Sequence, residues 1–447
     1  MDTLESRLQK RIHVSLYALL FLTGLLGISV LLEGCTDKCE VTNEYTFYEP
    51  VYTTLNELRS SVSVTAPEPI KTVGKIYYKD GFLFVNEPGK GIHVIDNRNP
   101  AAPVNKNFIT VPGNFDLAIK GSMLYADSFI DLVVLDITSL VDIKEVNRLE
   151  NIFSNYNSLG FYLDAEKGLV TDWVEKRNVS IEKSDCDTQF NIQPWGGVYY
   201  EDGIALASYV KFDKSAAIAP GNGSGPGVGG SMARFTISQD HLYTLDLGSL
   251  QAVDITDAKN PVAKAKTYVG WDIETIFPHE EHLFIGSSSG MHIFDITAPA
   301  APTHISTYAH IRSCDPVIVD GDYAYVTLRS GTTCQGFTNQ LEVIDIKDVT
   351  SPQLLKTYAM TNPHGLGKDN STLFICDGSA GLKVYDASDI NLIENKQLAH
   401  YSDIHAYDVI PFNNTLMMIG EDGLFQYDYS DPKNIKLLSH IVASNEE

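Results

Sequence analysis

The strongest chemical possibilities in this sequence lie with His364 and His405, together with Asp315 and Asp408. Imidazole and carboxylate donors hold a divalent cation when they converge. Their spacing contains no HxH, HExxH or CxxC pattern, so convergence depends wholly on the fold. No metal site and no cofactor is predicted. Gly286-Ser287-Ser288-Ser289-Gly290 matches the G-x-S-x-G nucleophile pattern. That motif needs a strand-to-helix elbow, and the flanking residues read as two strands, so the segment is a turn. Gly221 to Gly230 is glycine-rich, but no Lys-Ser/Thr follows to complete a phosphate loop. It reads as a flexible insertion overhanging one face of the fold.

What positions these residues is a repeat. A short apolar run ending in Asp recurs at Asp96, Asp136, Asp254, Asp295, Asp345, Asp386 and Asp428, at intervals of 40, 118, 41, 50, 41 and 42 residues. Within each unit an apolar segment, a turn, a second strand, a Gly-containing hairpin, a third strand ending in Asp and a Pro-bearing turn follow one another. In one unit these are Val317-Ile318-Val319, Asp320-Gly321-Asp322, Tyr323-Ala324-Tyr325-Val326 and the strand ending at Asp345. Short β-branched and aromatic runs between turn signals mean strands. Four antiparallel strands per ~40–45 residues make a β-propeller blade. The fold class expected is therefore all-β, a propeller of four-stranded antiparallel blades.

Eight blades are favoured, with seven as the alternative. The eighth would occupy residues 153 to about 200, where Leu159 to Leu163, Leu169 to Trp173 and Val179 to Ile181 read as strands. Pro67 to Thr72 matches Pro352 to Thr357, which suggests an early fourth strand pairing with the last blade and removing an exposed edge. The recurring Asp reads as a turn cap that accepts backbone N–H groups.

Propeller geometry sorts the candidate site. First strands line the channel, and their starts share one face with the hairpins between second and third strands. That mouth gathers Asn114, Asp116, Arg234, Asp272, Asp315, Arg329, His364, His405 and Asp408. Convergent polar groups at a channel mouth form a default ligand site. The competing reading is that they hydrogen-bond one another or water around a solvated channel. Cys314 and Cys334 fall on the same face of one blade. In an oxidising compartment they read as a disulfide worth about 3 kcal/mol in loop-closure entropy. Cys39–Cys186 is a second pair by elimination, and Cys376 reads as a buried thiol.

Leu132-Val133-Val134-Leu135-Asp136 and Leu341-Glu342-Val343-Ile344-Asp345 resemble the LVIVD-repeat family of bacterial and archaeal surface proteins. The resemblance runs from about Gly74 to Val442, less the insertion. It implies a β-propeller on an exported protein and implies no catalytic residues.

The N-terminus agrees with export. Arg7, Lys10 and Arg11 precede an apolar run from Val14 to Leu32, followed by Leu32-Glu33-Gly34-Cys35. A basic start, an apolar stretch and a small residue before a cleavage point describe a secretory signal. The small residue before cysteine resembles the lipobox of bacterial lipoproteins, which implies lipidation at Cys35. An uncleaved membrane anchor is the alternative. The domain expectation is a signal peptide over 1–34, a membrane tether over 35–66, and a propeller over 67–447 with an insertion at about 184–230.

The whole chain has 447 residues, 33 Lys+Arg against 57 Asp+Glu, and a net charge of −24. Removal of 1–34 takes away three basic and three acidic residues, so the acidity belongs to the exported body. Nucleic acid needs a basic footprint and is excluded as a partner. The functional expectation is a lipid-anchored envelope binding module, held to the outer membrane on its periplasmic or surface face. Its partner would be an envelope protein, a glycan or a small molecule. The alternatives are an envelope hydrolase or oxidoreductase with its site at the mouth, and a structural subunit of an envelope complex.

Overall fold

A computed structural model describes residues 38–154, 161–185, 226–310, 316–330 and 338–444, with side chains from residue 46 and none over 178–185. The chain divides into two compact units, Met1–Glu49 with Trp173–Ser208, and Pro50–Asp172 with Tyr209–Glu447. In the first unit, Tyr48 donates to Glu175 at 3.2 Å and Lys176 pairs with Glu49 at 3.2 Å. These residues belong to the long strands Lys38–Thr53 and Gly168–Asp185, neighbours in one sheet.

Among the described residues the second unit contains six four-stranded antiparallel sheets and one of six strands, whose central four form the same array. Blade 1 runs from Ile76 to Thr110, blade 2 from Leu117 to Leu149, and blade 3 from Phe235 to Tyr268. Blade 4 runs from Ile273 to Ala309, blade 5 from Val317 to Ala359, blade 6 from Leu366 to Tyr401, and blade 7 from Ala406 to Val442. Successive first strands touch from blade 1 through blade 7. Blade 7 meets blade 1 through a reciprocal amide pair, with Asn97 donating to Gln426 at 2.7 Å and Gln426 to Asn97 at 2.6 Å. Among the described residues the ring shows seven blades, the lower of the two expected counts. The first strands of blades 2 and 3 touch, so no described strand from 153 to about 200 stands between them. Where that stretch is described, Leu163–Asp164 pairs with Gly168–Asp185 in a different sheet.

The expected closure by Pro67 to Thr72 is also corrected. Blade 7 takes its fourth strand, Lys436–Val442, from its own sequence. The N-terminal segment meets the last blade by one backbone bond, Ser444 N–H to Ile70 O at 2.8 Å. Just upstream, Ser63–Thr65 adds a strand to the outer edge of blade 1. Helix Leu55–Ser60 is closed by a Thr54/Glu57 capping box, and it buries Leu58 against Ile130 and Leu169. The 35–66 segment, expected as a tether, is thus folded where it is described.

One buried position is large in every blade and aromatic in six of them. Phe84, Tyr125, Tyr243, Phe284, Tyr325 and Phe374 sit at equivalent places on the second strands of blades 1 to 6, with Met417 in blade 7. All are sealed from solvent. Tyr125 and Tyr243 also donate to Ala258 O and Pro299 O at the following blade's Pro-bearing turn, at 2.8 and 2.9 Å. Large side chains at this level fill the wedge between neighbouring twisted sheets. Every third-to-fourth strand pairing carries one register shift, for example at Val343/Ile344 and Gln426/Tyr427. Such a bulge sharpens local twist.

The seven repeated Asp residues act as turn caps. Each accepts the backbone N–H two residues on, from Arg98, Thr138, Thr256, Thr297, Lys347, Ser388 and Ser430. They lie on the face opposite the mouth.

The glycine-rich segment does not overhang the ring over its described part. Residues 226–233 run through the centre. Val228–Gly229 pairs with Tyr77 and Tyr78 of blade 1's first strand. Gly227 N–H donates to Ile119 O in blade 2 at 3.0 Å. Ile276 N–H of blade 4 donates to Ala233 O at 2.8 Å, and Leu366 N–H of blade 6 donates to Ser231 Oγ at 3.1 Å. Val228, Ser231, Met232 and Ala233 are buried. The channel is therefore filled by the chain's own backbone.

Candidate functional site

One register position carries most of the mouth chemistry. The residue just before the first apolar inward position of each first strand is Lys75, Asp116, Arg234, Thr275, Pro316, Gly365 and Asp408 in blades 1 to 7. Charges of both signs are therefore grouped at one level on blades 7, 1, 2 and 3. Lys75 donates to Met232 O of the plug. Burial lowers its pKa, opposed by the negative charges of Asp116, Asp408 and Glu274. Lys75 was not among the sequence candidates. Its signal is present: it precedes Ile76 as Asp116 precedes Leu117.

On blades 1 to 3 most of the polar groups at the mouth bond one another. Asn86 Nδ2 donates to Asn114 Oδ1 at 2.7 Å, and Asn114 Nδ2 donates to Asp127 Oδ1 at 2.8 Å. Asp127 Oδ1 also accepts Phe115 N–H at 2.7 Å and Asp116 N–H at 3.0 Å. Asp116 Oδ1 accepts Leu117 N–H at 2.7 Å. Its Oδ2 accepts the N–H groups of Arg234 and Phe235, the latter at 3.2 Å, at the start of blade 3. Arg234 turns its guanidinium onto Leu245 O of its own blade at 2.9 Å. Asn114, Asp116 and Arg234 are thus stitches between blades.

Burial pushes the Asp127 carboxyl up to about 6, outweighing the N–H groups that favour its charge. A carboxyl with a raised folded pKa holds its proton longer folded than unfolded. Its contribution is fully present below its ordinary pKa of 3.8 and is lost as pH rises through about 6. Asp127→Asn keeps the Oδ1 acceptor and removes the charge. The variant is expected to be more stable by about 1–3 kcal/mol at pH 7.5 and to lose stability less steeply between pH 4 and 6. Denaturant midpoints across that range check both effects.

Blades 5 to 7 are built differently. His364 is 2 % exposed. Arg329 Nη1 lies 2.9 Å from its Nδ1 and 3.1 Å from its Nε2. Burial, the Arg329 charge and the neighbouring His405 hold its pKa down at about 2. The ring is therefore neutral and can accept the guanidinium, which an imidazolium could not. The backbone fixes it too: His364 N–H donates to Cys376 O at 2.6 Å, and Thr327 Oγ donates to His364 O at 2.6 Å. Asp377, buried, accepts the N–H groups of Thr361 at 3.1 Å and Asn362 at 2.7 Å, and so sets the approach to His364. Gly365 allows the blades to close, because a Cβ there would lie 2.2 Å from Asp408 Oδ1 and 3.0 Å from Tyr407 O.

Around His364 stand His405, at 6.4 Å between ring centroids, and Tyr407, at 5.4 Å. His405 and Tyr407 are 5.0 Å apart. His405 Nδ1 pairs with Glu421 at 2.6 Å, and Asn362 Nδ2 lies 3.4 Å from His364 Nε2. Asn362, His405 and Tyr407 are half-buried and Glu421 is exposed. The fold does bring His364 and His405 together. No group of three metal-ligating side chains is present among the described residues. Asp315, Cys314 and Cys334 lie outside the described residues, as do Cys35 and Cys186. Asn362 and Tyr407 are the site residues that sequence reasoning missed, although each lies two positions from a histidine it did select.

Asp272 completes the mouth on blade 4, accepting Ser288 Oγ at 3.3 Å. Ser287 to Gly290 forms the hairpin of that blade. Ser287 is buried, donates to Gly290 O at 2.8 Å and lies 3.2 Å from His292 Nε2. It holds a turn, as expected. Among the described residues Cys376 is a free, buried thiol whose pKa burial raises well above the ordinary value.

Residues 311–360 match the LVIVD repeat model. No curated protein matches the chain. Solved structures that resemble it include a functionally unknown protein from Desulfotomaculum acetoxidans. That one is 13% identical over 82% of this chain and 97% of that one, with a TM-score of 0.50. BamB from Moraxella catarrhalis is 8% identical over 86% and 97% of the two chains, with a TM-score of 0.44. The computationally designed Ika8 protein is 10% identical over 86% and 92%, with a TM-score of 0.46. The likeness to the Desulfotomaculum acetoxidans protein speaks to the fold alone.

Proposed function

We propose that this LVIVD-repeat β-propeller is a binding module that engages its ligand at the mouth formed by blades 4 to 7. The observation that carries the proposal is the contrast between the two ways into the channel. The centre is filled by residues 226–233. The mouth presents half-buried Asn362, His405 and Tyr407 over a rigid Arg329–His364 base. Convergent planar donors and acceptors held on hydrogen-bonded connectors suit recognition, since little is lost in ordering them. The module is further proposed to be exported and lipid-anchored at Cys35. Support for that comes from the basic start, the apolar run and Leu32-Glu33-Gly34-Cys35. The net charge of −24 favours a neutral or basic partner over a polyanion.

A double variant, Asn362→Ala with His405→Ala, tests the reading. Affinity capture from detergent-solubilised envelopes is expected to recover the partner or glycan with the native protein and at least tenfold less with the variant. Equal recovery, with unfolding midpoints unchanged, would remove this mouth as the binding surface.

A further inference from the structure

Trp271 is 80 % exposed and Tyr268, three residues earlier, is 62 % exposed. Large aromatic side chains in a folded protein usually bury most of their surface. Both lie where the fourth strand of blade 3, Val262–Tyr268, passes to the first strand of blade 4, Ile273–His279. Connectors of this kind share the mouth face with Asn362 and His405. The turn does not depend on the indole. Val269 N–H donates to Gly248 O at 2.8 Å, and Ser288 N–H donates to Asp272 O at 3.0 Å. Asp272, next to the tryptophan, has φ +54, a left-handed conformation that a non-glycine residue rarely adopts. An exposed indole on a hydrogen-bonded turn thus stands next to Asp272 on the mouth face.

We propose that Trp271, with Tyr268, is a stacking platform for a neutral saccharide. The inference rests on the binding-module reading and names the ligand class of that same mouth. A flat aromatic face meets the C–H face of a pyranose by dispersion, and planar polar groups take its hydroxyls. The surroundings disfavour other ligands. A stable protein interface needs about 800 Å² from each partner, more than two aromatic side chains of about 150–250 Å² each supply. A chain charge of −24 repels anionic polymers.

Affinity electrophoresis through gels containing a mannan, a β-glucan, a galactan, a xylan or anionic alginate tests the proposal. At least one neutral polysaccharide is expected to retard the native protein. Trp271→Ala is expected to weaken that binding at least tenfold, and Trp271→Phe to keep part of it, with unfolding midpoints unchanged. Retardation by none of the neutral polymers, by alginate alone, or equally for Trp271→Ala would overturn it. If glycan binding fails while Asn362→Ala/His405→Ala still abolishes envelope capture, the saccharide is wrong and the binding mouth stands. If Trp271 matters for a polysaccharide and the double variant changes nothing, the platform stands and the mouth reading fails.

Discussion

Asp116→Ala lowers the stability of the ring by about 3–5 kcal/mol, the cost of removing one partner from a buried charged network. Three backbone N–H groups lose their acceptor: Leu117 in blade 2, and Arg234 and Phe235 in blade 3. Each orphaned buried donor costs about 1–3 kcal/mol, less whatever relaxation recovers. The Lys75 ammonium also loses a neighbouring negative charge. Burial raises the Asp116 pKa, so part of the network's value is offset at neutral pH, and Asp116→Asn, which keeps one acceptor oxygen, is expected to lose much less than the alanine variant. Guanidinium midpoints for the three proteins check the order. An alanine variant within 1 kcal/mol of the native protein would show that the blade 2–3 seam does not depend on this carboxylate.

Gly227→Val is the second large effect. A Cβ at 227 would lie 2.3 Å from the Tyr77 ring and 2.6 Å from Tyr78 O. Neither neighbour can move cheaply, because Tyr77 is buried in blade 1 and the second atom is backbone. The segment must therefore leave its pairing with Tyr77 and Tyr78. It would give up bonds to blade 2 and contacts inside the channel. Overpacking in a dense core costs about 1–3 kcal/mol. Lost pairing brings the expected total to about 3 kcal/mol or more. Hydrogen exchange reports the local event directly: the Val228 and Gly229 amides are expected to be well protected in the native protein and to exchange rapidly in the variant. Protection retained in Gly227→Val would mean that the channel tolerates a side chain there.

The blade repeat was legible because seven turn-capping Asp residues recur with strand-period apolar runs before them. The blade count was not. Leu169 to Trp173 has the composition of a blade strand, and composition does not say which sheet a strand joins. Pro67 to Thr72 matched a fourth strand in sequence, yet the last blade supplies its own in Lys436–Val442. Gly227 to Gly230 read as loose because glycine permits both flexibility and close backbone approach. Only the neighbours Tyr77 and Tyr78 reveal that the second applies. The mouth was legible as a set of first-strand starts. Which members merely stitch blades, like Asn114 and Asp116, depends on hydrogen bonds between residues far apart in sequence. Trp271 escaped notice because an aromatic residue beside a strand start looks like core until its exposure is known.

Face-resolved photo-cross-linking in intact cells tests the central claim most directly. A photoreactive residue at Glu421, exposed in the second-to-third hairpin of blade 7, probes the mouth. One at Asn414, exposed in the turn between Phe412 and Thr415, probes the opposite face. A binding mouth predicts a discrete adduct from position 421 that disappears with Asn362→Ala/His405→Ala, and none from position 414. Adducts from position 414 alone, or adducts from 421 that persist in the double variant, would contradict it.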